Sequence, residues 1–299
     1  MKKTTLLRKL LERDEILVYP LAYDCLIAKI IEKTGFEATG TTGFGMEATM
    51  LGKPDIGVLT LTEVVTRVKH MANTVKIPLI VDAESGYGNA INVIRTVQEL
   101  EQAGAAGLFI QDQVFPGRCA SMAGKEVVPM KEMIGKIKAA IDSRDDPDFM
   151  VIARTDAEVI SIEEAVRRAN AYLKAGADAV KPMPHTFEEY KFYAKSVKGP
   201  LFTYQVGTPR EIVQEKGKSL EEITFRDLEE LGYKAVSIPT VALFAATKAV
   251  MDLMEELKDK GTFKHYQERV NPPTREEFWQ LMGRDEFNRL ERKYLPLKK

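Results

Sequence analysis

The feature that most constrains this chain is an alternation. Short runs of Val, Ile, Leu and Ala without polar interruption are each followed by a longer stretch with helical spacing, and the pair recurs eight times. The apolar runs fall at 16–20, 38–41, 79–82, 107–111, 149–154, 177–181, 201–205 and 235–238. Helical patterns follow at 24–33, 61–74, 90–103, 131–143, 162–175, 186–197, 220–231 and 240–258. Strands that are apolar on both faces suit a parallel sheet with both sides covered. Gly104, Gly176 and Gly232 close helical patterns just before a strand, as C-cap glycines do. Eight strand–helix pairs are the number that closes a (β/α)8 TIM-type barrel. That α/β barrel is the expected fold, with a doubly wound open sheet as the alternative.

The 299 residues suffice for one barrel-sized domain. A net charge of −1 argues against nucleic acid as a partner. No apolar run is long enough to span a membrane. Residues 1–12 form a charged helical pattern rather than a secretory signal. The two cysteines, Cys25 and Cys119, are too few for a disulfide framework and fit a reducing, cytoplasmic setting. Pro272 and Pro273 break the chain; Thr274, with Glu276 and Glu277 behind it, starts a new helix. The expected organisation is therefore a catalytic barrel at 1–270 and a helical extension at 271–299. The extension's Phe278, Trp279, Leu281 and Met282 need cover, and a neighbouring subunit supplies it.

In such barrels chemistry sits at the C-terminal strand ends. The residues found there are Thr41 and Thr42, Asp82 and Glu84, Gln111 to Gln113, Arg154 to Asp156, Lys181, Tyr204 and Gln205, and Ser237. Asp55 lies in the connection after strand two. Val81-Asp82-Ala83-Glu84-Ser85-Gly86-Tyr87-Gly88 delivers two acids where a buried strand stops, an arrangement suited to a divalent cation. The other reading is a turn in which Asp82 caps the next helix. The cluster Gly40–Gly45 lacks the spacing of a helix-opening, phosphate-binding loop. The long loop 115–125 after strand four, with Gly117 and Gly124, is a candidate lid. Arg118 beside Cys119 favours a thiolate there, and an ordinary surface loop with a small buried Cys is the alternative. His185 could face the mouth, whereas His70 and His265 read as surface or packing residues.

These pieces together resemble the isocitrate lyase and phosphoenolpyruvate mutase superfamily. The resemblance runs from Thr42–Gly45 and Leu51-Gly52-Lys53-Pro54-Asp55 through Asp82–Asn89, Ile110–Gln113, Gly117-Arg118-Cys119 and Ala153–Ala157 to Lys293-Tyr294-Leu295-Pro296. It implies C-terminal helices swapped between subunits and a homotetramer built as a dimer of swapped dimers. It also implies Mg²⁺, replaceable by Mn²⁺, and a small-molecule carboxylate substrate. By the same resemblance Asp82 is the direct metal ligand, Asp55 and Glu84 hold the ion's waters, and Gln111 stands where the family carries another acid. Arg154 grips a carboxylate and an oxyanion. Thr42, Gly43, Phe44 and Gly45 bind a carboxylate, with Arg118 and Lys181 as further substrate contacts. Cys119 matches the proton-donating cysteine of the carbon–carbon lyases.

The resemblance implies cleavage of a C–C bond in a small 2-hydroxy or 2-oxo di- or tricarboxylate, methylisocitrate- or alkylmalate-like, through an enolate. The sequence also departs from that branch. Gly117-Arg118-Cys119-Ala120-Ser121 lacks the lyases' lid lysine and histidine, Met183 replaces a strand-six acid, and Tyr204 replaces a strand-seven Asn. Tyr204 is similar to the oxaloacetate decarboxylase branch and stands with Cys119 and Arg154 as a candidate catalytic residue. Oxaloacetate decarboxylation, phosphoenolpyruvate or carboxyphosphonoenolpyruvate phosphonomutase chemistry, and non-catalytic oxo-acid binding are the alternatives.

Overall fold

In the computed structural model, which describes residues 1–119, 122–205 and 222–295, eight parallel strands alternate with helices. The strands are β1 (Leu17–Ala22), β2 (Thr39–Thr41), β3 (Leu79–Asp82), β4 (Gly107–Gln111), β5 (Met150–Thr155), β6 (Ala179–Pro182), β7 (Phe202–Tyr204) and β8 (Ala235–Ile238). Hydrogen bonding runs in the order β6-β5-β4-β3-β2-β1-β8-β7. A parallel bridge between Val180 and Leu201 joins the two ends of that row and completes a nearly closed (β/α)8 barrel. The open-sheet alternative is thereby excluded.

Each strand presents one residue to the barrel interior and the next to the surrounding helices. Leu17, Tyr19, Ile80, Phe109, Met150, Ile152, Ala179, Phe202 and Ala235 form the interior cluster. Helix α1 (Lys3–Leu11) adds Leu7 and Leu10 to it, so the amphipathic N-terminal segment closes one end of the barrel. Advancing two residues along a strand keeps the same face and reaches the mouth. Ile80 thus leads to Asp82, Phe109 to Gln111, Ile152 to Arg154, Ala179 to Lys181, Phe202 to Tyr204, and Ala235 to Ser237. The registers Gln111–Arg154, Arg154–Lys181 and Tyr204–Ser237 set these polar residues side by side. The barrel is an apolar plug with one polar layer on top.

The helices fall close to their expected positions in the sequence: α2 (Cys25–Thr34), α4 (Leu61–Thr74), α5 (Ala90–Gln102), α6 (Met130–Ser143), α7 (Ile162–Lys174), α8 (Phe187–Ser196), α9 (Phe225–Glu230) and α10 (Val241–Lys260). The start of the expected 220–231 helix lies outside the described residues, as do Ser121 and Pro296. One element departs from expectation. Helix α3 (Gly43–Leu51) starts inside the glycine cluster. Thr42 caps it by accepting the Gly45 N–H at 3.3 Å, and Gly45 is needed because a Cβ there would lie 2.7 Å from Tyr23 Cβ. A cap and a tight contact, rather than a phosphate-loop spacing, open that helix.

The chain divides into two compact units, Met1–Ala242 and Leu243–Lys299. The second contains α11 (Lys264–Val270), α12 (Arg275–Leu281) and α13 (Arg284–Tyr294). Helix α12 opens on the expected Thr274, whose capping box with Glu277 is complete. No helix among the described residues is long and apolar enough to cross a membrane.

Candidate active site

The acids come first because they are the costliest to bury. Asp82 ends β3. Its Oδ1 accepts the Glu84 N–H at 3.1 Å and its Oδ2 accepts the Gly43 N–H, the first of α3, at 3.4 Å. Helix α5 is capped by Asn89 instead, through the Ile91 N–H and a capping box with Asn92. The helix-cap reading of Asp82 is therefore replaced: it bonds its own turn and the start of α3. Glu84 follows with φ of +50°, a left-handed conformation that a side chain bearing Cβ adopts only under constraint. That conformation turns Glu84 back toward Asp82.

The acids converge on Gly43. A Cβ built there would lie 2.6 Å from Glu84 Oε1, 3.5 Å from Asp82 Oδ2 and 3.7 Å from Asp55 Oδ1. Asp55 is delivered by the loop between α3 and α4, and buried Glu47 on α3 shapes that loop. Glu47 accepts the N–H groups of Ile56, Val58 and Leu59 at 2.9, 2.7 and 3.4 Å. Burial, with the neighbouring Asp82, lifts Asp55 to about 6. Burial together with Asp82 and Asp55 raises Glu84 well above the ordinary carboxylate range. Burial also raises Asp82, against the opposing pull of Arg154. Three crowded carboxylates short of positive charge are a cation site in electrostatic terms.

Among the described residues, no three His, Cys, Asp or Glu already close on one point as a direct metal centre. Mg²⁺ does not require that. It keeps several waters and takes only one or two carboxylates directly. Hard oxygen donors spaced a water apart around Gly43 fit it. Gln111, fully inside, donates from Nε2 to Glu84 Oε2 at 3.0 Å, so its amide braces an acid.

Arg154 stands on the opposite side of the layer. Its Nε and Nη2 donate to Asp156 Oδ2 and Oδ1 at 2.8 and 2.7 Å. Burial works against its charge, but Asp156 outweighs that and raises it above the usual guanidinium value. This pairing uses one edge of the guanidinium and leaves the Nη1 end for a substrate. Asp156 is itself placed by Asp112, whose Oδ1 accepts the Asp156 N–H at 2.9 Å. Asp112 Oδ2 accepts from Thr155, Tyr172 and Arg168 at 2.8, 2.7 and 3.1 Å. Sequence reasoning noted Asp112 and Asp156 at strand ends without a role and missed Glu47, Arg168 and Tyr172. The available signal was the four-residue spacing of Arg168 and Tyr172 on the inner face of α7.

The loop after β4 lies over the acids. Gly117 is buried, and a Cβ on it would collide with Gln111 Nε2 and sit 3.2 Å from Glu84 Oε2. The Cys119 N–H donates to Asp55 O at 3.3 Å, and the Cys119 thiol hydrogen-bonds the Asp55 carboxylate. Gln113 clasps the loop, accepting the Arg118 N–H at 2.8 Å and donating to Arg118 O at 3.1 Å. Arg118 is exposed, with its guanidinium 3.4 Å from Ala123 O. At the far end Lys125 pairs with Glu158 at 2.8 Å and Asp156 at 3.5 Å. His185 is 45% exposed, 3.7 Å from Glu158 on the rim.

Of the remaining candidates, Thr42 and Gly43 are buried at the acid cluster with Gly45 behind them, and Phe44 is half-buried. Tyr204 is buried and donates to Pro184 O at 3.1 Å. Lys181 is buried, donating to Ser237 Oγ at 3.0 Å.

Comparison with known proteins shows what the whole chain is similar to. The sequence model of the phosphoenolpyruvate phosphomutase family matches residues 7–258. A 2,3-dimethylmalate lyase of Eubacterium barkeri is 39% identical over 296 residues, 98% of this chain and 99% of its own length. A 2-methylisocitrate lyase of Aeropyrum pernix is 38% identical over 285 residues, 95% and 88% of the two chains. The crystal structure of phosphonopyruvate hydrolase with oxalate and Mg²⁺ superposes with a TM-score of 0.87 at 31% identity, covering 99% and 100% of the chains.

Proposed function

The chain belongs to the phosphoenolpyruvate phosphomutase family, and on that basis we propose that it is a Mg²⁺-dependent carbon–carbon lyase. Its substrate would be a small 2-hydroxy or 2-oxo di- or tricarboxylate of the methylisocitrate or alkylmalate type, cleaved through an enolate. One observation carries the reading: the Cys119 thiol is held against Asp55, above the same acids that face Arg154. A proton donor, an acid cluster and a guanidinium in one small volume are the parts that enolate chemistry needs.

Each residue then has a task. Asp82 would hold Mg²⁺ directly, with Asp55 and Glu84 on its waters and Gln111 bracing Glu84; the bound ion would polarise substrate oxygens and stabilise an enolate. With the ion's charge offsetting the acid cluster, Glu84, held as an acceptor by Gln111 at 3.0 Å, would take the proton of the substrate hydroxyl. Arg154, aimed by Asp156, grips the adjoining carboxylate. Thr42, Gly43, Phe44 and Gly45 line the opposite wall at the positive end of α3. Cys119 Sγ gives its proton to the enolate carbon once the bond has broken. The Gly117–Cys119 loop keeps water from that carbon.

Oxaloacetate decarboxylation is the second reading. It is supported by Arg118, which is exposed and bonds Ala123 O, and by Lys125, which is tied to Glu158 and Asp156. That leaves little cationic help for a distant second carboxylate. Pyruvate release from methylisocitrate, dimethylmalate and oxaloacetate, followed with lactate dehydrogenase with and without EDTA, separates the readings. Cys119→Ala abolishes C–C cleavage under the first and spares decarboxylation under the second. Cleavage retained in that variant removes the acid role of Cys119. No turnover of any substrate, with oxalate still raising the melting temperature, leaves an oxo-acid-binding protein.

The assembly proposed with this function is a homotetramer with swapped C-terminal helices. The support is apolar surface on Phe278, Trp279, Met282 and Phe287, each at least 39% exposed in the single chain.

A further inference from the structure

The polar layer contains a charged group that this mechanism leaves idle. Lys181 is 3% exposed, in the middle of a barrel mouth. Its stem rises from β6 beside Ala179, and its ammonium lies 4.3 Å from the centre of the Phe109 ring. Ser237 Oγ accepts from it at 3.0 Å and passes its own proton toward Thr203 O at 3.3 Å. No carboxylate forms an ion pair with it among those found in the described residues. A lysine that only filled space would be replaced at little cost by Met or Leu, since burying an unpaired ammonium is expensive.

Its surroundings suit a nucleophile. Arg154 is its register partner on the adjacent strand, so the two Cα atoms are about 5 Å apart across the sheet. A 2-oxo acid carries its carbonyl carbon next to its carboxylate. With the carboxylate on the free end of Arg154, the carbonyl falls within the sweep of a four-carbon lysine stem. On the other side, Tyr19 is the register partner of Ser237. Tyr19 is fully buried, with its hydroxyl at Ser237. A buried hydroxyl beside Ser237, the acceptor of Lys181 among the described residues, is placed to carry a proton to a substrate oxygen.

We propose that Lys181 forms a reversible imine with the carbonyl of a 2-oxo acid held at Arg154. The lysine nitrogen attacks the carbonyl carbon, and the C=O π pair becomes the oxygen of a carbinolamine. One proton moves from nitrogen to that oxygen. The C–O bond then breaks with the aid of a proton supplied through Tyr19 and Ser237, and water leaves. The nitrogen lone pair closes the C=N bond, and its second proton refills the relay. The sum is amine plus ketone giving imine plus water, with no change of oxidation state. The iminium form is an electron sink beside the one provided by the acid cluster.

The free amine that this step needs is available. Burial, and then the Arg154 charge, bring Lys181 down to about 7, with Asp82 and Asp156 acting in the opposite direction. Relative to an ordinary lysine at 10.5, that is on the order of a thousandfold more free amine at neutral pH.

The inference rests on the oxo-acid reading of the site, and the experiment separates the two. The full chain is incubated with pyruvate at pH 7, treated with borohydride, digested and weighed. A carboxyethyl group on the peptide containing Lys181, far exceeding that on exposed lysines such as Lys138 and absent from Lys181→Met, is the expected result. Ser237→Ala, which keeps the amine and removes its acceptor, forms the adduct more slowly. No Lys181 adduct while pyruvate still raises the melting temperature overturns the imine and leaves the oxo-acid site standing. No adduct and no stabilisation by pyruvate or oxalate overturns both. Equal labelling of wild type and Lys181→Met also overturns the imine.

Discussion

Gly43→Ala tests whether the three acids form a working cluster. Gly43 is the first residue of α3 and its φ is not in the left-handed region, so the backbone tolerates alanine. Helix propensity alone favours the change by up to about 1 kcal/mol. The new methyl, however, would sit 2.6 Å from Glu84 Oε1, with Asp82 Oδ2 at 3.5 Å and Asp55 Oδ1 at 3.7 Å. Normal carbon–oxygen contact requires Glu84 to retreat by roughly 0.6 Å. Its far oxygen is held by Gln111 Nε2 at 3.0 Å, so the retreat disturbs that bond as well. Overpacking costs about 1–3 kcal/mol, which leaves a net loss of at most about 3 kcal/mol once the helix gain is counted. For a chain of this size that lowers the melting temperature by several degrees at most. Activity behaves differently. A displacement approaching 1 Å among reacting groups costs up to about a hundredfold, and the methyl also fills the space between the acids. Expected, then, is a folded protein with turnover down about ten- to a hundredfold. Mg²⁺ affinity, measured by calorimetry, weakens in parallel. Turnover and Mg²⁺ affinity within a factor of about three of wild type would refute the convergence of the acids on Gly43.

Three further outcomes follow from the same contacts. Asp55 is raised from 3.8 to about 6 by burial and Asp82; its native form therefore binds a proton more readily than the unfolded chain does. Its contribution to stability is favourable below about pH 4 and is lost as pH rises through about 6, and raised Glu84 and Asp82 act with the same sign. Urea unfolding with and without Mg²⁺ should accordingly show the ion stabilising most above pH 6 and losing its effect toward pH 5, and a pH-independent Mg²⁺ effect contradicts it. Asp112→Ala leaves Arg168 buried without its Asp112 contact, a change worth about 3–5 kcal/mol, so thermal unfolding should shift down strongly; a shift under about 2 °C would show that Asp112 is not the brace. Glu47→Gln keeps one acceptor oxygen for the Asp55 loop and weakens Mg²⁺ binding with little change in melting temperature, whereas unchanged Mg²⁺ calorimetry would separate Glu47 from Asp55 placement.

Much of the site was readable from sequence because of a coincidence of periods. A strand alternates every two residues, so Ile80 inside requires Asp82 inside, and the same holds for Phe109 with Gln111, Ile152 with Arg154 and Ala179 with Lys181. Polar residues at the ends of apolar strands were therefore recognisable without knowing any contact. Gly40–Gly45 was misjudged because its helix depends on Thr42 as cap and on the nearness of Tyr23, and the latter comes from a different strand–helix unit. Glu47 went unnoticed because a Glu in a helix usually faces water. Only the fold shows three loop N–H groups aimed at it.

The sequence by itself determined the eight strand–helix pairs, the acids of the β3 turn and the inward phase of each strand, since these follow from local periodicity and burial. The tertiary structure alone decided the rest. It turned Glu84 back by a left-handed backbone, seated the Cys119 thiol on Asp55, and set Lys181 between Phe109 and Ser237. Those contacts join residues far apart in the chain, and their energies come from burial and from charges brought together across the barrel, which no local pattern encodes.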